Sequence, residues 1–277
     1  MTAVEHLVIF DYSGTLSLEA PRFARTESLM RALTESGLAA LGVSTPEIFW
    51  EGIVAPTWIE GSTTAIGYKR VMAERIMALG MAPGKTGSEV AAAAARFVDR
   101  YLDHSGVDPG WRPILTELAG NLGAAVVIAT DHYAEATEAI ARHLGFRGIR
   151  TQKAERQTDS SAPVCTFLIA NSADIGFWKA DRRFWEVLRR PTLPGKIRSL
   201  LIVDDFGFNE EMGDLYGERE RVEARKEMTL SALCEAFEIP TVVIPFFLED
   251  KERNPDGTAG RRIEETSRSI RSFLTGC

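Results

Sequence analysis

The sequence predicts an α/β fold: a Rossmann-like parallel sheet core with an all-helical segment inserted after the first strand. Three observations predict it. Short apolar runs rich in β-formers alternate with helical patterns along the second half of the chain. The first such run, His6 to Phe10 (HLVIF), stands alone and far ahead of the next. Between Ser17 and Val107 only helical spacing is legible. The chain has 277 residues, 45% hydrophobic and 26% charged. That is an ordinary globular composition, with length enough for one large domain or a core plus a smaller one.

Element by element, HLVIF reads as a buried strand, and DYSGT after it as a tight loop. From Arg22 to Leu41, apolar residues recur at helical spacing: Phe23, Leu29, Met30, Leu33, Leu38 and Leu41. Helical patterns follow over Thr64–Leu79 and Ser88–Leu102, and the Ala91–Ala95 run is a helix former rather than a linker. After Pro109-Gly110 the pattern changes: Arg112–Leu122 reads as a helix, Ala124–Ala129 (AAVVIA) as a buried strand ending at Thr130, and Tyr133–Leu144 as a helix. Gly148–Pro163 is polar and irregular, an exposed loop. Cys165–Ala170 (CTFLIA) is a strand, Asp181–Leu188 a helix, and Leu200–Val203 a strand ending at Asp204-Asp205. A helix over Leu230–Phe237, a strand over Thr241–Phe246 and a closing helix over Ile263–Leu274 complete the chain. The expected organisation is a core of residues 1–16 and 108–277 with a helical domain of residues 17–107.

Composition narrows the function classes. The net charge is −7, with both signs mixed along the chain. A general nucleic-acid surface needs clustered Lys and Arg and is not expected, whereas a locally positive site for a phosphorylated small molecule is compatible. No apolar run approaches the roughly 20 residues that span a bilayer, and no signal peptide precedes the first strand. A membrane partner is therefore not expected, and a reducing cytoplasm is the simplest location. Cys165, Cys234 and Cys277 lack metal spacing and read as two packing residues and a terminal thiol. No feature of the sequence sets an oligomeric state.

In a parallel α/β sheet, ligands sit beyond the carboxyl ends of the strands. The residues there are Asp11, Thr130 with Asp131, and Asp204-Asp205, with Asn209 and Glu210 shortly after. Lys179 follows the CTFLIA strand in GFWKADRRFW. This set suits phosphoryl transfer. Acidic positions can hold a hard cation such as Mg2+ through oxygen. A lysine and a hydroxyl can bind a phosphoryl group, and an aspartate can attack phosphorus and split the reaction into two easier steps. No Gly-rich loop ending in GK[ST] is present, so a P-loop site is not expected. Each residue also has a plainer reading. Asp11 and Asp204-Asp205 can be turn residues, Thr130 or Asp131 a helix N-cap, and Lys179 a surface lysine. His132 is an acid or base, or a structural histidine. Trp58, Trp178 and Trp185 read as packing residues, with Trp178 near the site because it adjoins Lys179.

Four of these segments, in order, resemble the four motifs of the haloacid dehalogenase (HAD) superfamily: VIFDYSGTL, VVIATD, ADIGFWKADRRFW and LLIVDDFGFN. The resemblance covers nearly the whole chain, and the helical segment is similar to that family's cap domain. It implies a hydrolase with Asp11 as nucleophile and Thr130 and Lys179 as phosphate binders. It implies Mg2+ held by Asp11, the Ser13 backbone, Asp204 and Asp205, with Asn209 toward a metal-bound water and Glu210 as its substitute. One position departs. The family's phosphatases carry an acid/base Asp two residues after the nucleophile, and Ser13 stands there. A serine hydroxyl is a poor proton donor or acceptor near pH 7, and general acid–base help is worth about 10²–10⁴-fold. Three readings follow: an Asp11-dependent phosphatase working slowly or on good leaving groups such as acyl phosphates; a carbon–halogen or carbon–phosphorus hydrolase, the latter calling on Lys69 as a Schiff-base lysine; or a weakened, regulatory binder of phosphate-like ligands.

Overall fold

The computed structural model describes residues 4–120, 123–154, 166–189, 197–210, 219–248 and 255–276. Their strands are β1 (His6–Phe10), β2 (Ala124–Thr130), β3 (Thr151–Lys153), β4 (Phe167–Asn171), β5 (Ser199–Asp204) and β6 (Thr241–Pro245). These six form one parallel sheet in the order β3-β4-β2-β1-β5-β6. β1 lies between β2 and β5, with Phe10 in register with both Ile128 and Val203. That register brings the ends of three strands level, which is what assembles a site above them.

The central strands are continuous apolar runs because both sheet faces are covered. Along β1 the faces alternate. Val8 and Phe10 join one core cluster, which continues through Tyr12 and Leu16 into the helical segment. Leu7 and Ile9 join a second cluster on the opposite face, with Phe184, Trp185 and Leu233.

Between β1 and β2 the described residues are helical throughout, apart from connecting turns and the single Ser13–Ser17 bridge. The helices are α1 (Glu19–Phe23), α2 (Thr26–Ser36), a 3-10 turn (Ala39–Leu41), a π-helix (Ile48–Val54), α3 (Ala55–Thr63), α4 (Tyr68–Ala78) and α5 (Gly87–His104). The helical spacing over Arg22–Leu41 is divided among three pieces. Arg25 breaks the first junction with an extended ψ of 138°, and Gly37 ends α2 in the left-handed region at φ 90°. α5 starts on a capping box, in which the Thr86 hydroxyl accepts from Glu89 N–H and the Glu89 carboxylate accepts from Thr86 N–H.

After β1 and the helical segment come α6 (Arg112–Gly120), α7 (Ala136–Gly145), α8 (Ser172–Ile175), α9 (Arg182–Val187), α10 (Arg219–Phe237) and α11 (Pro255–Thr275). Several expectations need correction here. Thr151–Lys153 forms an edge strand where a loop is expected, paired with Phe167–Ile169, while residues 155–163 of that expected loop lie outside the described residues. The fourth strand runs to Asn171, one residue past Ala170. α10 begins eleven residues before Leu230, because its first half is charged and shows little apolar periodicity. Cys234 is exposed rather than packed, and Cys165 and Cys277 lie outside the described residues. Among the described residues no helix is long and apolar enough to cross a membrane.

The helical segment is fastened to the sheet by named contacts. The Glu135 carboxylate accepts from Tyr68 N–H at 2.9 Å and Lys69 N–H at 3.0 Å, so a side chain of the core caps the start of α4. Tyr68 stacks on Tyr133 with ring centroids 3.9 Å apart. The Ser172 hydroxyl donates to Ser62 C=O, and Trp178 donates its indole N–H to the Ser62 hydroxyl.

Candidate active site

β1 ends at Phe10, and Asp11 N–H still donates to Val203 C=O, so the Asp11 side chain leaves the sheet at the edge of the crevice. The chain then turns sharply. Gly14 takes φ +76°, and a Cβ there would collide with the Asp205 carboxylate, so only glycine fits both demands. The Thr15 hydroxyl accepts from Asp205 N–H at 3.1 Å, which locks the first loop to the end of β5.

One lysine organises the floor. Lys179 Nζ donates to Asp11 Oδ1 at 2.6 Å and to Asp204 Oδ2 at 2.8 Å. Its backbone N–H donates to Asp131 Oδ1 at 2.9 Å, and its carbonyl accepts from the Trp185 indole at 2.6 Å. Asp11, Lys179 and Asp204 are buried, and Asp131 is partly exposed. Asp11, Asp204 and Asp205 can each present an oxygen within 4.8 Å of the others.

The charges are unbalanced. Burial raises Asp11 well above its ordinary value; Lys179 pulls it back, and Asp204 and Asp205 push it further up. Burial and then Asp204 raise Asp205 to about 6. Burial likewise raises Asp131. Burial would lower Lys179, but Asp11, Asp204 and Asp131 outweigh it and hold the ammonium charged. A cluster of carboxylates around one ammonium is short of positive charge. All-oxygen donors at this spacing fit a hard divalent cation.

The structure brings Asp11, Ser13, Asp131, Lys179, Asp204 and Asp205 to one crevice, with Thr130 buried at the end of β2 beside Asn171. Asn209 reaches the same place, but its amide ties loops together. Nδ2 donates to Gly14 C=O and Phe246 C=O, both at 2.7 Å, and Oδ1 accepts from Leu248 N–H. Asn209 N–H holds Asp205 Oδ2 at 2.8 Å. Glu210 accepts from the Ser13 hydroxyl at 2.9 Å, a pairing that no sequence spacing signals. Neither Thr130 nor Asp131 caps α7, whose N-cap is Glu135.

His132 is committed elsewhere. Its Nδ1 accepts from Tyr133 N–H at 2.8 Å, so that nitrogen is unprotonated, and Nε2 faces the Tyr101 hydroxyl at 3.0 Å. Burial lowers it to about 4. It is a neutral structural histidine at pH 7. Lys69 pairs with Asp99 at the surface of the helical segment and does not line the crevice.

Above the floor lies a cavity of about 620 Å³ between the sheet and α1–α5. Ser13, Asp131 and Glu210 border it on the sheet side; Phe49, Trp58 and Phe97 face it from the helical segment. Trp58 and Trp178 thus line the cavity, while Trp185 is fully buried behind Lys179.

No protein-family model matches this chain, and no curated protein does so either. Among solved structures, a 2-haloacid dehalogenase from Pseudomonas syringae pv. Tomato shares 22% identity over 76% of this chain and 81% of its own, with a TM-score of 0.46. A protein described as a HAD-hydrolase, YfnB from Bacillus subtilis bound to magnesium, shares 15% identity over 91% and 88%, with a TM-score of 0.43.

Proposed function

We propose that this chain is a hydrolase of the haloacid dehalogenase type, acting on a phosphorylated small molecule through Asp11, with the helical segment of residues 17–107 as its cap. The observation that supports it best is the buried Asp11–Lys179–Asp204 contact beside Asp205. A carboxylate held by an ammonium on one oxygen keeps its other oxygen for attack.

In this reading Asp11 attacks phosphorus, the bond from phosphorus to the leaving oxygen breaks, and that oxygen departs with the bonding pair. Water then cleaves the aspartyl-phosphate, releasing phosphate and restoring Asp11. Lys179 binds the phosphoryl oxygens and Thr130 donates a hydrogen bond to them. Asp131 positions Lys179 through its backbone. Asp11, Asp204 and Asp205, with the Ser13 carbonyl, would hold Mg2+, which neutralises phosphoryl charge when bound. Ser13 supplies no acid or base, so leaving groups that depart unprotonated are favoured.

The charge of the floor weighs against metal-free carbon–halogen chemistry, because Asp204 and Asp205 would repel both an attacking carboxylate and an anionic substrate. The Lys69–Asp99 pair weighs against a cap Schiff base. A phosphatase panel with and without Mg2+ tests the proposal. Asp11→Asn should lower kcat/KM by at least about 10³-fold, and Ser13→Asp should raise turnover of unactivated esters toward the 10²–10⁴-fold range of general acid catalysis. Full Mg2+-dependent activity in Asp11→Asn would sink the proposal.

A further inference from the structure

The cavity above Asp11 has a composition that the phosphoryl chemistry does not require. Its sheet side is polar, with Ser13, Asp131 and Glu210, and α10 adds Arg221 and Arg225. Its roof is aromatic: Phe23, Phe49, Trp50, Trp58 and Phe97. Three of the polar groups that line the cavity are already used. The Tyr68 hydroxyl pairs with Thr57 at 3.2 Å, the Tyr101 hydroxyl with His132 at 3.0 Å, and the Trp178 indole N–H with Ser62 at 2.8 Å. His132 has both ring nitrogens occupied. At the rim the apolar wall continues outward through Ile59 and Met228, which are 65% and 56% exposed despite being large and hydrophobic.

We infer that the leaving group is bulky, apolar and ring-bearing: an aryl alcohol, able to depart as a phenolate, whose phosphoryl end lies at Asp11 and whose body lies under α1–α5. This rests on the hydrolase reading above and adds the substrate class to it. The argument is one of desolvation. A sugar or polyol under this roof would lose water from each hydroxyl and meet aromatic carbon, and an unpaired buried hydroxyl is costly. A ring system meets the same surface with favourable burial and edge-on or stacked contacts. The volume of about 620 Å³ falls within the range of pockets that bury a drug-sized ligand. The cavity is continuous with the catalytic floor, because Ser13 and Asp131 line it.

The test separates the leaving-group site from the reaction. Binding of 1-naphthylmethylphosphonate and of propylphosphonate, neither of which can be hydrolysed, is measured by titration calorimetry with Mg2+ present. The kcat/KM values of the two matching phosphate esters are measured alongside. The naphthyl ligand should bind about tenfold or more tightly, the discrimination that a hydrophobic pocket gives for added apolar bulk. Trp58→Ala should reduce the binding ratio at least threefold. Phe49→Leu keeps an apolar side chain, folds more safely and should reduce it less. Equal binding of the two phosphonates, or binding of neither, overturns the inference. So does a ratio unchanged in both variants. If neither ester turns over while the naphthyl preference and its loss in Trp58→Ala persist, the hydrolase reading fails and the apolar site stands.

Discussion

The floor of the crevice and its roof are built from opposite materials. The floor gathers Asp11, Asp131, Asp204 and Asp205 around Lys179 at the carboxyl ends of β1, β2 and β5. The roof is a set of aromatic side chains on the helical segment, where the Tyr68 and Tyr101 hydroxyls are paired inside the protein. Burying the floor is unfavourable, as the raised Asp11, Asp131 and Asp205 show. Burying the roof is favourable, since it removes apolar surface from water. The difference assigns separate tasks. In the proposed reading, the floor holds charge that a phosphoryl group and a cation can use, and the roof selects what the phosphoryl group is attached to. Folding tolerates the first because the second, with the sheet core beneath, stabilises the same crevice.

Changes at the floor should have the largest effects. Lys179→Met leaves Asp11 and Asp204 buried without their ammonium, and removing one partner of a buried ion pair costs about 3–5 kcal/mol. Urea unfolding without divalent cations should show that loss, while a midpoint close to that of the unaltered chain would show that water reaches the carboxylates. The junction comes next. His132 is lowered by burial to about 4. Its neutral form is the folded one, so its contribution is complete above its unfolded value of about 6.5 and disappears as pH falls from about 6.5 to 4. The loss should amount to roughly 3 kcal/mol at most over that window. The buried floor carboxylates act in the opposite sense, so the measurement is the difference between the unaltered chain and His132→Gln. Two parallel stability–pH curves would remove this assignment. The smallest effect belongs to the roof's fastening. Glu135→Ala leaves Tyr68 N–H and Lys69 N–H without their carboxylate and should cost about 1–2 kcal/mol. Calorimetric unfolding reads it, and a Tm within error of the unaltered chain would show that water replaces the cap.

The two regions were not equally legible in the sequence. Asp11, Asp204 and Asp205 stand next to apolar runs that end abruptly, and a polar residue after a buried strand marks the crevice edge of an α/β sheet; Lys179 lies eight residues beyond β4 and was legible through the GFWKADRRFW segment. The roof gave no such sign. Trp50, Trp58 and Phe97 sit at helical spacing, and an apolar residue facing a cavity has the same periodicity as one facing a core. The Thr151–Lys153 strand is three polar residues long and has no apolar signature. Asn209 lies where a metal ligand is expected, yet its amide holds Gly14, Phe246 and Leu248 together. The Ser13–Glu210 contact and the hold of Asp131 on Lys179 join residues 197 and 48 apart in sequence.

The sequence by itself determined the alternation of strands and helices, the helical insertion and the acids at the strand ends, because these follow from local periodicity and from where apolar runs stop. Only the tertiary structure decided which of those acids share one ammonium, that His132 is structural, and that the space above Asp11 is walled by aromatic rings. Those properties depend on distances between segments and on which polar atoms find partners, and neither quantity is carried by any short stretch of chain.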